Sequence, residues 1–485
     1  MRSALALLCV AALVPGGTLK TKPHVDYRAF EKKLTKDRQI VHALNRLTFG
    51  PRPGDVEAVK KLGLKRWIDW QLHPDRIAEN PDLDRHLRTI PAGAFAPERR
   101  IPPAQYAQEK LYRAIYSNRQ LQEVMVDFWY NHFNVDMTKG ADSMLVPAYE
   151  RDAIRPHVLG KFGELLGATA SSPAMLFYLD NWQSVAPNSL AQRFLKGKQA
   201  PRGLNENYAR ELMELHTLGV DGGYTQKDVT EVARCFTGWT IDRPNQSGPF
   251  LFRPAMHDNG EKTVLGVTIP PNGGREDGEK VLDILARHPS TARFISTKLA
   301  IRFVADDPPP ALIEGMAKTF EETDGDIRAV LATMFGSKEF FSEGAYRAKV
   351  KTPLEMVVGA VRATAAEVSA TNALFNQIAS LGEPLYRKIE PTGYSSMNAE
   401  WVNSAALLGR MNFGMQLAQN RVPGVRVEAS RFSADPVKAA RQILFTDPAP
   451  ETLRAISDAA KQSGPQRAGA MLAGLVLGSP DFQRR

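Results

Sequence analysis

The feature that most constrains the fold is a helical repeat of apolar side chains, which recur every three to four residues along most of the chain. Segments rich in Pro and Gly separate this repeat into amphipathic stretches. The stretches span about residues 37–48, 53–72, 103–134, 143–181, 205–237, 278–304, 310–341, 351–381, 397–420, 436–446 and 450–478. A strand pattern is confined to residues 250–268, around the turn Asp258-Asn259-Gly260. The sequence therefore predicts an all-α body of many helices with a small β-hairpin insertion near 250–268.

The length and composition are typical of a globular protein. The chain has 485 residues, of which 43% are hydrophobic and 24% are charged. We expect one large helical domain over 37–482, which could be subdivided near 185–203 and 420–436. The net charge of +9 is spread along the chain rather than concentrated in one stripe, so nucleic acid is not an expected partner.

The N-terminus predicts export. Met1-Arg2 is followed by a mostly apolar run from Ala4 to Val14, which has the order of charge and apolar residues found in secretory signals. We therefore expect a signal peptide over residues 1–20 and a periplasmic or secreted protein. No later segment is apolar enough to predict a transmembrane helix.

The absence of several cofactor motifs limits the cofactors that the chain can bind. The two cysteines, Cys9 and Cys235, form no CxxC or CxxCH motif, which excludes covalent haem c, an iron–sulfur cluster and a thiolate zinc site. The chain also contains no HExxH, GxSxG, Walker or GxGxxG motif, so no nucleotide site is predicted. The cofactor is unknown, and a divalent transition metal would need ligands from separate segments.

The predicted helix over 205–219 carries the first candidate site. Its apolar residues form one stripe, and Glu211 projects within that stripe. A carboxylate that faces the core is costly unless it is paired or metal-bound. Glu211 is therefore predicted to be a metal ligand or a general base, or else the ion-pair partner of an arginine such as Arg234 or Arg302. The same helix supplies Glu214 as a catalytic candidate, Arg210 as a candidate for binding an anionic substrate group, and His216 as a candidate metal ligand.

A second candidate site lies on the predicted helix over 119–134, which is apolar around most of its circumference and should be buried. Glu123, Asp127, Asn131 and Asn134 share one narrow polar strip, which hydrogen bonds must satisfy. The strip could line a pocket, with Asp127 catalytic and the two amides binding substrate, or it could brace neighbouring helix ends. His132 points among apolar neighbours and is a candidate metal ligand, although such a histidine is more often part of the core.

Two further groups complete the candidates. His257 precedes a turn whose chemistry explains its neighbours but not the histidine, so it is the third candidate metal ligand. Aromatic and amide side chains alternate near residue 400 in a pattern that suits sugar rings and helix packing equally. These substrate-binding candidates are Tyr394, Asn398 and Trp401, to which we add Trp239.

Six sequence segments together indicate a protein family. They are HALNRLTFG (42–50), DFWYNHFN (127–134), NENYARELMELHTLG (205–219), FTGW (236–239), HDNG (257–260) and PTGYSSMN (391–398). With Trp401, they resemble a bacterial family known as domain of unknown function 1800, and the resemblance covers about residues 37–482. It implies a mostly helical, exported protein whose gene often lies beside that of a second family related to sulfatases and phosphatases. It assigns no activity and no catalytic residues.

Three functions follow from these observations. The first is an envelope enzyme with a metal-assisted or acid–base site built from the carboxylates and histidines named above. The second is a non-enzymatic partner or maturation factor of a co-exported, sulfatase-related protein, which the family resemblance suggests. The third is a glycan-binding or lyase-type helical protein, which the aromatic residues near 400 favour.

Overall fold

The structure, a computed structural model, describes residues 26–91, 94, 96, 99–187, 189, 203–461 and 468–485. It is 59% helical, and the described residues form 22 α-helices and three small two-stranded antiparallel sheets. The prediction of an all-α body with a small β insertion is confirmed. The predicted signal peptide over 1–20 lies outside the described residues, as does most of the boundary predicted near 185–203.

The helices that precede the β insertion are short, and most are joined by turns that contain Gly, Pro or Ser. They are α1 (Lys36–Leu47), α2 (Asp55–Leu62), α3 (Leu64–Leu72), α4 (Pro81–Leu87), α5 (Pro103–Tyr116), α6 (Gln120–His132), α7 (Asp142–Ala148), α8 (Phe162–Ala170), α9 (Pro173–Tyr178), α10 (Glu206–Glu214) and α11 (Gln226–Cys235). A π-helical turn, Tyr149–Ile154, directly follows α7.

The helices that follow the insertion continue the same pattern. They are α12 (Glu276–Ala286), α13 (Pro289–Phe303), α14 (Pro310–Glu322), α15 (Ile327–Gly336), α16 (Pro353–Ala363), α17 (Asn372–Ser380), α18 (Ser404–Ala418), α19 (Pro436–Leu444), α20 (Pro450–Lys461), α21 (Ala468–Gly478) and α22 (Pro480–Gln483). Among the described helices, none combines the length and the apolar character that a membrane crossing requires.

Side-chain caps fix where important helices begin. At the start of α11, Thr225 and Asp228 form a capping box, in which each side chain accepts a hydrogen bond from the other residue's backbone N–H. Thr352 and Glu355 form the same box at the start of α16, where Pro353 occupies the first helical position. These contacts position the N-terminus of α16, which borders the site described below.

The β insertion is built from two hairpins rather than one. Strand β1 (Trp239–Ile241) pairs with β2 (Phe250–Phe252), and β3 (Lys262–Val264) pairs with β4 (Val267–Ile269). The second hairpin turns at residues 265–266, where Leu265 and Gly266 both have positive φ angles, and not at Asp258-Asn259-Gly260 as predicted. A third sheet joins β5 (Glu367–Val368) to β6 (Val425–Arg426).

Most of the core is one connected cluster of buried apolar side chains that extends from Phe30 to Phe482. A smaller cluster joins α1 to α2 and consists of Ile40, Val41, Leu44, Val56 and Val59. Helix α6 lies inside the larger cluster and packs against α1, α3, α5 and the π-helical turn. Every residue of α6 is buried except Gln122, Asp127 and Asn131, which are half-buried. The prediction that this helix is buried around most of its circumference is confirmed. Of its predicted polar strip, Asp127, Asn131 and Asn134 line a pocket, whereas Glu123 forms an ion pair with Arg155.

Candidate functional site

A cavity of about 50 Å³ lies between α6, the start of α16 and residues 384–401, and we call it the central pocket. Residues 384–401, which form one of its walls, are called the wall segment. The volume is enough for a few water molecules. The pocket brings together five predicted site residues that are far apart in the sequence, namely Asp127, Asn131, Asn134, Tyr394 and Trp401.

Asp127 forms an ion pair with Lys110 of α5 in this pocket. The Lys110 Nζ lies 2.8 Å from Oδ1 of Asp127, and 8% of the lysine side chain is exposed. The ammonium also lies 5.3 Å from the ring centroid of Tyr386 and 5.6 Å from that of Tyr130. Burial lowers the pKa of Lys110, but the charges of Asp127 and Glu150 outweigh burial, and the net pKa is raised. Lys110 is therefore charged at neutral pH and holds Asp127 in place.

Glu383 lines the same pocket and is almost completely buried, with 5% of the residue exposed. Its Oε2 accepts a hydrogen bond of 2.7 Å from the backbone N–H of Leu354, in the first turn of α16. Burial raises the pKa of Glu383 to about 8, and the nearby charge of Asp127 adds to this effect. The pocket therefore contains one carboxyl group that is protonated at neutral pH and one carboxylate that is paired with a lysine.

The two amides of the α6 strip hold the wall segment. Asn131 Oδ1 accepts a hydrogen bond from the Tyr394 N–H, and its Nδ2 donates to the Tyr394 carbonyl, both at 2.6 Å. Asn134 Nδ2 donates to the carbonyls of Lys388 and Glu390 at 2.9 and 3.0 Å. Both amides line the pocket, but these hydrogen bonds join them to the backbone of the wall segment.

The contact between α6 and the wall segment requires a glycine. Gly393 has a φ of +68°, and a Cβ atom at this position would lie 2.1 Å from the backbone oxygen of Asn131. No other residue type fits without movement of the wall segment.

Polar atoms of the aromatic candidates are also bound to the backbone. The Tyr394 hydroxyl donates to the Pro384 carbonyl at 2.9 Å, and the Trp401 Nε1 donates to the Ser395 carbonyl at 3.0 Å. Both rings also line the cavity of about 50 Å³, and the substrate-binding role predicted for them stays a prediction.

Asn398 braces the chain beside the pocket. Its Oδ1 accepts a hydrogen bond from the Val350 N–H and its Nδ2 donates to the Ala348 carbonyl, both at 2.8 Å. Its backbone N–H donates to Asp306 at 2.9 Å. Asn398 does not line the pocket, and its side chain ties the wall segment to the residues that precede α16.

Two predicted metal ligands, His132 and His216, meet in the core away from the pocket. Their ring centroids are 6.2 Å apart, and His132 Nε2 lies 3.1 Å from the His216 carbonyl oxygen. Burial, together with the charge of Lys298, lowers the pKa of His132 well below its usual value and that of His216 to about 3. Both rings are therefore neutral at physiological pH and pack among phenylalanines.

The third predicted ligand, His257, belongs to a separate buried cluster in the β insertion. Its Nε2 lies 3.1 Å from Asp277 Oδ2, and its Nδ1 lies 2.8 Å from the Thr237 carbonyl oxygen. Lys262 Nζ lies 2.5 Å from the same Asp277 oxygen. Within the described residues, no three His, Cys, Asp or Glu side chains form a group that could hold a metal ion. The predicted set of three histidine ligands is therefore not assembled.

Glu211 lies half-buried on α10 and does not line the pocket. Burial and the charge of Glu214 raise its pKa. Neither arginine considered as its partner pairs with it, because Arg234 binds Asp258 and Glu231 while Arg302 binds Glu355. The specific ion pairs proposed for Glu211 are therefore wrong.

The remaining candidates also lie outside the pocket. Arg210 donates to Gln226 Oε1 at 2.7 Å, and Glu214 accepts a hydrogen bond of 3.2 Å from the Tyr224 hydroxyl. Trp239 is fully buried in β1, and its indole packs on Gly278 of α12, where a Cβ atom would approach the ring to 2.7 Å. No contact of these residues tests the roles predicted for them.

Two residues that line the central pocket, Lys110 and Glu383, are not among the candidates predicted from the sequence. Lys110 stands in an amphipathic helix, where a lysine is normally solvent-exposed, so no local pattern marks it. Glu383 follows Gly382 in the turn after α17, and only its position between the apolar residues Leu381 and Leu385 indicated burial.

Comparison with known proteins agrees with the sequence strings and adds no activity. No curated protein and no solved structure matches the chain. A family model described as Protein of unknown function (DUF1800) matches residues 42–484, a range that includes every residue of the central pocket. The chain therefore belongs to the family of proteins of unknown function called DUF1800.

Proposed function

We propose that the protein is an acid–base enzyme whose active site is the central pocket, and that it hydrolyses a small polar substrate. One observation carries the proposal. Glu383 and Asp127 face a single cavity of water-molecule size, in which burial raises the pKa of Glu383 while Asp127 is bound to the Lys110 ammonium. A pair of carboxyl groups with separated protonation states is the usual basis of general acid and general base catalysis.

Each group has a defined role in this proposal. Glu383 is protonated at neutral pH, because burial raises its pKa to about 8, and it donates this proton to the leaving group. Asp127 accepts a proton from a water molecule in the cavity and so activates that water as the nucleophile. Lys110 holds the Asp127 side chain in place and stabilises negative charge that develops beside it. General acid or base catalysis by one such group contributes about 10²–10⁴-fold.

Substrate entry requires the wall segment to move. The cavity of about 50 Å³ accommodates water but not a substrate, so the hydrogen bonds of Asn131 and Asn134 to the wall segment must open and re-form. The proposal thereby gives the two amides a gating role in place of the substrate contacts predicted from the sequence.

The test uses generic chromogenic substrates. The purified chain is assayed with p-nitrophenyl esters, phosphates, sulfates and glycosides, alongside Glu383→Gln, Asp127→Asn and the matched control Glu211→Gln. We expect one class to be hydrolysed, with a loss of at least about 10²-fold in the first two variants and full activity in the third. Hydrolysis that is equal in all four proteins, or no hydrolysis of any class, overturns the proposal.

Export is part of this proposal and is supported by the composition of residues 1–14. Fractionation of cells that express the full chain tests it, with a reporter enzyme fused to residues 1–25 as the second measurement. Recovery of both proteins in the cytoplasm would contradict export.

A second function, that of a partner for a co-exported protein, is favoured by one surface. Exposed large apolar side chains are concentrated at the start of α18 and in the residues before it, and Leu408 is 60% exposed. The cluster consists of Met397, Val402, Leu407, Leu408 and Met411. Co-purification with the sulfatase-related neighbour that is lost in Leu408→Glu supports this function, whereas unchanged co-purification refutes it for this surface.

A further inference from the structure

A second internal cavity lies on the other side of residues 349–352 and has a volume of about 20 Å³. It is bounded by α1, α16 and the residues from 481 to 485, and we call it the C-terminal cavity. The charged side chains that line it are mostly basic. They are Arg347, Lys351, Arg484 and Arg485, against the single carboxylate side chain of Asp481.

The carboxylate side chains near this cavity are already paired. Asp481 forms an ion pair with Arg347 and also accepts a hydrogen bond of 2.8 Å from the Ala449 N–H. Glu355 is shared, since it pairs with Arg302 and its Oε2 lies 3.0 Å from Arg485 Nε. No carboxylate side chain that lines the cavity is left for Lys351.

Lys351 is a buried cation without a partner of its own. Only 3% of the residue is exposed, and its ammonium forms no hydrogen bond or ion pair with any described residue. The Nζ lies 3.7 Å from the ring centroid of Phe482, which closes one side of the cavity. Burial lowers its pKa to about 7, with the charge of Glu355 acting in the opposite direction. A buried ammonium is costly unless an opposite charge or several hydrogen-bond acceptors satisfy it.

The surroundings add more positive charge. Arg485 Nη1 is buried and has no hydrogen-bond partner among the described residues, and Arg485 lines the same cavity. Arg410 donates to the Lys351 carbonyl at 2.8 Å, while its Nε and Nη2 are buried without partners. Several N–H groups of these two arginines are therefore unsatisfied.

We propose that the C-terminal cavity binds one small inorganic anion of the size of chloride, held by the Lys351 ammonium. The volume admits one or two water-sized species, which excludes phosphate and larger oxyanions. A monovalent halide there accepts hydrogen bonds from the Lys351 ammonium and places a negative charge beside it. This site is independent of the catalytic roles proposed for the central pocket.

Thermal unfolding of the full chain tests the proposal. The melting temperature is measured at constant ionic strength while sodium gluconate, whose anion is too large for the cavity, is replaced by sodium chloride or bromide. We expect a saturable rise of about 3 °C when the halide reaches about 100 times its dissociation constant. The rise disappears in Lys351→Met and is retained in Lys338→Met, which alters an exposed lysine.

A bromide-soaked crystal gives a second, independent measurement on the wild-type chain. An anomalous peak beside Lys351 Nζ, together with the halide-dependent melting temperature, supports the site. A peak without any halide effect on stability identifies an adventitious ion only and overturns the proposal. A melting temperature that is equal in gluconate and halide, with no peak, also overturns it, even if Lys351→Met does not fold.

Discussion

Replacement of Glu383 by glutamine removes one ionisable group from the central pocket while retaining its shape. The glutamine carbonyl oxygen can still accept the hydrogen bond that Leu354 donates to Glu383. The variant therefore imitates the protonated carboxyl group at every pH. Any change in the pH dependence of stability reports on the ionisation of Glu383 rather than on lost packing.

The expected magnitude follows from the pKa. Burial raises the pKa of Glu383 from 4.5 to about 8, so the folded protein keeps a proton that the unfolded chain releases between these two pH values. Because the folded state binds more protons in this window, stability falls as the pH rises from about 4.5 to about 8 and is constant with respect to this group above it. A pKa difference of about 3.5 between the two states corresponds to about 5 kcal/mol.

Thermal unfolding measures this effect directly. A chain of 485 residues has an unfolding entropy of about 1 kcal/mol per degree, so about 5 kcal/mol corresponds to a change of about 5 °C in melting temperature. We expect the difference in melting temperature between Glu383→Gln and wild type to grow by about 4 °C from pH 5 to pH 8.5, because this range covers most of the titration.

Two comparisons isolate the contribution of Glu383. Burial lowers the pKa of Lys351 to about 7, which makes stability rise with pH between about 7 and 10.5, but this contribution is common to both proteins and cancels in the difference. Glu314→Gln, which alters an exposed glutamate on α14, serves as the control and should follow the wild-type profile. Parallel pH profiles for Glu383→Gln and wild type would refute the assignment of a raised pKa and, with it, the general acid role.

Two further substitutions test the close contact between α6 and the wall segment and the neutral state of the buried histidines. Gly393→Ala places a Cβ atom against the Asn131 backbone oxygen. It should therefore destabilise the protein by about 1–3 kcal/mol more than Gly382→Ala, in which the residue also has a positive φ but the Cβ atom meets open space. Equal melting temperatures of the two variants would show that the contact between α6 and the wall segment is not tight. Since burial lowers the pKa of His216 to about 3, this group alone should cost about 3 kcal/mol of stability as the pH drops from 6.5 to 4. Burial also lowers the pKa of His132, so in acid unfolding curves His216→Phe should lose only the share that His216 contributes, whereas His73→Phe should follow wild type. An unchanged acid profile in His216→Phe would contradict the neutral state of this ring.

The sequence predicted the candidate site in part. The strip of Glu123, Asp127, Asn131 and Asn134 was recognisable because a helix that is apolar on nearly every side must be buried, and its polar residues must then find partners. Whether the strip would line a pocket or brace its neighbours was left open, and the structure contains both outcomes. Asp127 faces the cavity with Lys110, whereas the amides also hold the wall segment.

The spacing of His132, His216 and His257 in the sequence could not show whether the three predicted metal ligands meet. His132 and His216 are 84 residues apart and meet in the core, while His257 turns to Asp277 instead. A local pattern shows that a histidine faces the interior, but it does not show which other groups face the same point. The same limit applies to Glu211. The sequence indicated a carboxylate that faces the core, but the two arginines considered as its partners, Arg234 and Arg302, pair with other carboxylates.

The sequence by itself determined the helical class, the burial of α6 and the family, because apolar periodicity, capping residues and long motif strings are local properties of the chain. Only the tertiary structure decided which charges meet. The pKa of Glu383 is raised, and that of Lys351 is lowered, because other segments of the chain bury both side chains. Desolvation and Coulomb interactions depend on distances in space, and these distances exist only after the helices have packed.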